Sequence, residues 1–210
     1  MKKITNKTII DIMIITGLFF VVISCTKNER NNLPEENQNF VSQLSLGTPS
    51  LNPLCGPIPT DLQPSAENKL AFQTFAKGVQ IYQVRRSATD PNVFVWVNTA
   101  PSANLYAKPD FTSQVGIHYA GPSWEFTKGP FKNDKVVGSK LKVVMMDASA
   151  IPWLLLKAVD SLSSPGNKIT YIQRVCTTGG VAPSTPATEF NLGQTDSISY
   201  TATYLFYTRD

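Results

Sequence analysis

A chain of 210 residues with a formal charge of only +4 lacks the basic surplus of a nucleic-acid binder, and it is long enough to bury a real core. At 16% charged and 42% hydrophobic, with 15 prolines and 12 glycines, it reads as a loop-rich β protein rather than a helical one.

The chain begins with Lys2, Lys3 and Lys7, followed by an apolar run from Ile12 to Ile23. That is the pattern of a secretory leader, and the run is too short for a spanning helix, which needs about 20 residues. Val22-Ile23-Ser24-Cys25 resembles the lipobox of bacterial lipoproteins. Residues 1–24 are therefore expected to be cleaved and Cys25 to be lipidated as the new N-terminus, because several acyl chains anchor stably where one does not. The competing reading is an ordinary secretory peptide with an incidental Cys25. The lipobox implies a bacterial cell-envelope location facing the periplasm or the exterior, with the membrane as partner through the lipid anchor. Residues 25–50 are polar, with almost no apolar period, and read as a disordered tether.

Residues 51–210 are expected to form one β domain. Once Cys25 is lipidated, Cys55 and Cys176 remain as a pair in an oxidising compartment. A bridge between them would close a loop of roughly 120 residues, with a chain-entropy ceiling near 5 kcal/mol. Two buried free thiols are the alternative. Leu51–Pro64 carries four prolines and should run extended.

Strands are expected at Leu70–Ala76 and Val79–Arg86, flanking Lys77-Gly78, with Gln80, Tyr82 and Val84 on one face of the second. Val93–Val97 is apolar on both faces and reads as a central, doubly covered strand. Asn104–Phe111 reads as a loop. Val115–Tyr119 and Trp124–Thr127 bracket a Gly121-Pro122 turn, and two further strands flank Gly138. Trp153–Val159 is an apolar run too short for periodicity to assign, with a short helix over Ala150–Ser161 left open. Lys168–Thr177 and Tyr200–Thr208 complete the set, the last with the cleanest period of two. The inventory predicts an all-β fold, an antiparallel sandwich or closed barrel of about nine or ten short strands with little helix.

Lys77–Tyr82, His118–Glu125, Ile151–Lys157, Tyr171–Val175 with Thr178–Pro183, and Tyr200–Tyr207 occur in that order. Together they resemble the uncharacterised family "domain of unknown function thirty-four fifty-five" over roughly residues 60–208. The resemblance implies a secreted or envelope β-rich domain and supplies no activity. Family members often have cysteine at the position of Val84 and asparagine at that of Cys176, so it transfers no disulfide either.

The only histidine, His118, shares a short stretch with Tyr119, Trp124 and Glu125. It is the candidate general base, and the Gly-Pro reversal offers Glu125 as its acid/base partner. A structural ion pair or a hydrogen-bonded turn histidine is the bland reading of the same residues. One histidine among scattered carboxylates does not make a zinc site, so no metal or cofactor is expected. Ser123 lacks the strand-turn-helix frame of a hydrolase nucleophile. Aromatic faces stack on sugar rings or flat ligands. Tyr119 and Trp124, with Gln80, Gln173 and Arg174 fixing orientation, are accordingly the candidate ligand-binding residues. Lys128, Lys132, Lys135, Lys140 and Lys142 read as a solvated edge guarded against strand pairing.

These residues suggest a non-catalytic domain binding a saccharide or small aromatic compound near the His118–Glu125 turn. A hydrolase or isomerase using His118 and Glu125, and a structural or adhesion module, are the alternatives. Whether the protein is an enzyme is not decided by the sequence.

Overall fold

The computed structural model describes residues 55–129, 131–162 and 168–209. The expected leader, the lipidation site Cys25 and the tether lie outside the described residues. Eight strands run antiparallel to their neighbours in sequence, and the last returns to pair with the first, closing a barrel. They are β1 (Asn68–Arg86), β2 (Phe94–Tyr106), β3 (Gln114–Tyr119), β4 (Ser123–Phe126), β5 (Lys135–Val144), β6 (Trp153–Leu162), β7 (Ile169–Gly179) and β8 (Thr195–Arg209).

The all-β class is as expected, but the strands are fewer and longer. Lys77-Gly78 does not break a strand; it lies inside β1, and Gly138 lies inside β5. Glycine within a strand marks a bend or a close backbone approach as often as an end. At Gly78 a Cβ would collide with the Ser102 carbonyl and Ala103 of β2, so no side chain fits between the two strands there. Asn104–Tyr106, expected in a loop, extends β2. Of the lysine run, Lys135 lies where β5 is paired on both sides, whereas Lys140 and Lys142 pair with β6 alone.

Ala150–Ser161 contains a strand, not a helix. Its period is hidden because β6 is covered on both faces. Leu154 and Leu156 point into the barrel, while Trp153 and Leu155 point outward against Ile58 and Leu62. Residues 55–63 thus form a strap across the outside of β6, β7 and β8, where Val175, Leu205 and Tyr207 complete the second cluster. The Gln173 side-chain amide donates to the Leu62 carbonyl, and the Tyr207 hydroxyl donates to Gln173 Oε1 at 2.6 Å. A disulfide joins Cys55 at the head of the strap to Cys176 on β7, with 5.4 Å between the Cα atoms. β2 has no such cover. Val95 on it and Val93 just before it are exposed, so the expected doubly covered strand has an open apolar face.

The interior divides into two halves. Toward one end, Phe72 stacks on Phe131 and Phe206, and Phe126 meets Phe72 and Phe206 edge-on, an aromatic plug that fills the lumen. Toward the other end lie the Gly121-Pro122 turn and the loop between β5 and β6, and there the lumen is polar.

Candidate functional site

Alternate residues of each strand point inward, and at the polar end those residues are Gln80 of β1, His118 of β3, Trp124 of β4, Arg174 of β7 and Tyr204 of β8. They line a cavity of about 290 Å³, at the small end of the range for ligand pockets, roughly 300–1,000 Å³. Leu154 and Leu156 of β6 give it an apolar wall. Asn98, Thr99, Gly121, Lys140 and Val143 are the exposed lining residues and mark its mouth.

Local sequence explains the placement. Val136, Gly138 and Lys140 are successive inward positions of β5. A Cβ on Gly138 would sit 3.1 Å from Trp124 Cζ3 and 3.3 Å from Leu156, so its absence makes room for the indole. The β3–β4 hairpin sets His118 directly opposite Trp124, and the two rings stack at 4.5 Å between centroids with 13° between planes. Tyr204 closes on both rings edge-on, 5.0 Å from His118 and 5.3 Å from Trp124.

His118 is only 3% exposed. Its Nδ1–H donates to the Ser123 carbonyl at 2.8 Å, which leaves Nε2 as an acceptor. Burial pushes its pKa down to about 3; the Ser123 bond opposes the shift and the positive charge of Arg174 adds to it. At neutral pH the ring is uncharged.

Arg174 donates from Nε and Nη2 to the Pro152 carbonyl at 3.1 and 2.9 Å. Gln80 Oε1 accepts from Asn98 Nδ2 at 2.9 Å. By contrast Trp124 Nε1 is buried with no hydrogen-bond partner among the described residues. Gln80 Nε2 and the buried hydroxyls of Tyr200 and Tyr204 make no well-formed hydrogen bond, yet Tyr200 interacts with Gln80 and Tyr204, and Tyr204 with Arg174. Burial raises the pKa of both phenols; Tyr204 raises that of Tyr200 further, and the field of Arg174 works against the rise in each.

The remaining expected site residues stand elsewhere. Glu125 pairs with Ile117, not with His118, and so faces the outside of the barrel. There its carboxylate accepts from the Tyr119 hydroxyl at 3.1 Å, and Lys135 lies over the Tyr119 ring. His118 and Glu125 are not brought together, and Tyr119 does not line the cavity. Gln173 belongs to the strap contact on the outer face. Tyr204 was legible only as one inward member of an alternating strand, and Lys140 only as one lysine of a run. No group of three His, Cys, Asp or Glu side chains converges among the described residues.

The family described as "Protein of unknown function (DUF3455)" matches residues 64–208, from just before β1 to the penultimate residue of β8. The chain belongs to that family. In this DUF3455 barrel every cavity residue lies inside the matched segment, while the whole strap, Cys55 included, precedes it. No curated protein and no solved structure matches the chain.

Proposed function

We propose that this is a lipid-anchored cell-envelope protein whose barrel binds a small organic molecule in the cavity, without catalysis. One observation carries the binding reading: a cavity of about 290 Å³ is walled by His118, Trp124 and Tyr204 and holds Arg174, which has no carboxylate partner among the described residues. A partly buried guanidinium without a counter-charge is costly, so a protein that keeps one in a cavity has a use for it. Aromatic walls beside the polar atoms suit a ring-shaped ligand, a saccharide or a small aromatic compound.

The geometry of the cavity weighs against catalysis. The one histidine is neutral, with Nδ1 committed to Ser123, and the cavity lining contains no carboxylate to pair with it. The envelope location is supported by the leader pattern and the lipobox-like Val22–Cys25.

The test is native mass spectrometry of the full-length protein purified from its source, followed by thermal shift against sugars and aromatic compounds. Trp124 should report binding by a fluorescence change in a Trp96→Phe/Trp153→Phe background. If no small molecule co-purifies, none raises the melting temperature, and Trp124 emission never moves, the binding reading is wrong.

A further inference from the structure

We propose that the cavity selects an anion, specifically a small organic acid whose carboxylate meets Arg174 and whose ring lies along His118, Trp124 and Tyr204. This rests on the binding reading above and goes further in naming the ligand's charge.

Of the side chains lining the cavity, the guanidinium of Arg174 and the ammonium of Lys140 can only donate. The Gln80 acceptor Oε1 is already taken by Asn98. Two carbonyl bonds to Pro152 and the nearby Tyr204 hydroxyl engage only part of the five-donor guanidinium of Arg174. On the other side of the ledger His118 Nε2 is a lone acceptor, and the tyrosine hydroxyls can act either way. The charged groups of the lining are therefore donors alone, and a ligand that brings acceptors complements them.

Charge points the same way. Lys140 and Arg174 are in the lining and no Asp or Glu is. No carboxylate pairs with Arg174 among the described residues; the two ion pairs are Arg86–Glu189 and Arg209–Glu67, both at the surface. A partly buried guanidinium without a counter-charge is costly, whereas its planar fork matches a carboxylate in two parallel bonds. Lys140, exposed at an inward position of the mouth, adds long-range attraction for an entering anion.

Isothermal titration calorimetry on the full-length protein in detergent tests this, with benzoate and glucuronate as acids and benzamide and glucose as their neutral counterparts. At least one acid should bind about tenfold or more tighter than its neutral partner, as a charge-assisted pair requires. Which acid does so separates a flat aromatic ligand from a sugar acid. Arg174→Gln should remove that preference, Arg174→Lys should keep part of it, and Lys140→Glu should weaken the acid alone. Because Lys140 is exposed, its variant decides the matter even if Arg174→Gln does not fold. If neutral compounds bind as tightly as acids, or acid binding ignores these substitutions, the anion inference falls and the cavity remains a binding site. If nothing binds and nothing co-purifies, both fall.

Discussion

His118 and Glu125 stand on opposite faces of the β3–β4 hairpin: His118 is paired with Trp124 and points into the barrel, while Glu125 is paired with Ile117 and points out. Their side chains share no partner, so their contributions to stability should be independent. His118→Ala removes a buried ring and its bond to Ser123, and a loss of about 2–3 kcal/mol is expected. Glu125→Gln keeps most of the Tyr119 contact and should cost under about 0.5 kcal/mol. Urea melts of the singles and the double should add, with a coupling below about 0.5 kcal/mol. A coupling above about 1 kcal/mol in that cycle would mean the two residues act as a pair.

The neutral His118 also sets a pH dependence. Its folded pKa of about 3 lies below the ordinary value of 6.5, so between these values the unfolded chain binds more protons than the folded one. The stability it contributes is whole above pH 6.5 and drains away as the pH falls through about 3. The limiting slope is about 1.4 kcal/mol per pH unit. Because His118 is the only histidine, His118→Gln should flatten the stability profile between pH 5 and about 6.5. An unchanged slope in that variant would place the titration elsewhere.

Gly138 is the empty position beside Trp124. Gly138→Val must push the indole or Leu156 aside, and overpacking of this kind costs about 1–3 kcal/mol. Ligand affinity should fall together with the melting temperature, and the emission spectrum of Trp124 should shift. A folded variant with unchanged affinity would show that the indole does not shape the cavity.

Gln173 gives the opposite signature. Gln173→Ala strands the Leu62 carbonyl and the Tyr207 hydroxyl, at a cost of about 1–3 kcal/mol, yet it should leave ligand affinity as it was. Breaking the Cys55–Cys176 bridge should release the same strap and lower stability by up to about 5 kcal/mol. Hydrogen exchange should show lost protection at Leu62 in both cases. Lost binding in Gln173→Ala with unchanged stability would return Gln173 to the ligand site.

The proposed anchor has its own check. Cys25→Ala should leave the protein unprocessed or release it from the membrane fraction. Wild-type fractionation and cleavage in that variant would remove the lipoprotein reading.

Alternation in Tyr200–Tyr207 and around Gln80 was enough to sort the residues of β8 and β1 into two faces, because a period of two is a local property of the chain. The strand character of most of the chain and the turn at Gly121-Pro122 were legible for the same reason. Glycine was ambiguous: Gly78 and Gly138 read as breaks, yet neither is a chain reversal; neighbouring atoms forbid a side chain at Gly78 and crowd one at Gly138. The apolar run at Trp153–Leu156 hid its period because a strap distant in sequence covers its outer face.

The candidate site turned on register, which is not local. A turn of three residues, Ala120–Pro122, pairs His118 with Trp124; a slip of one residue would have put Glu125 there instead and inverted every side chain of β4. Local sequence supplied a histidine, a tryptophan and a carboxylate within eight residues. Only the pairing of eight strands around a closed ring decided which of them share the cavity with Gln80 and Arg174, because that choice depends on contacts made across the whole chain.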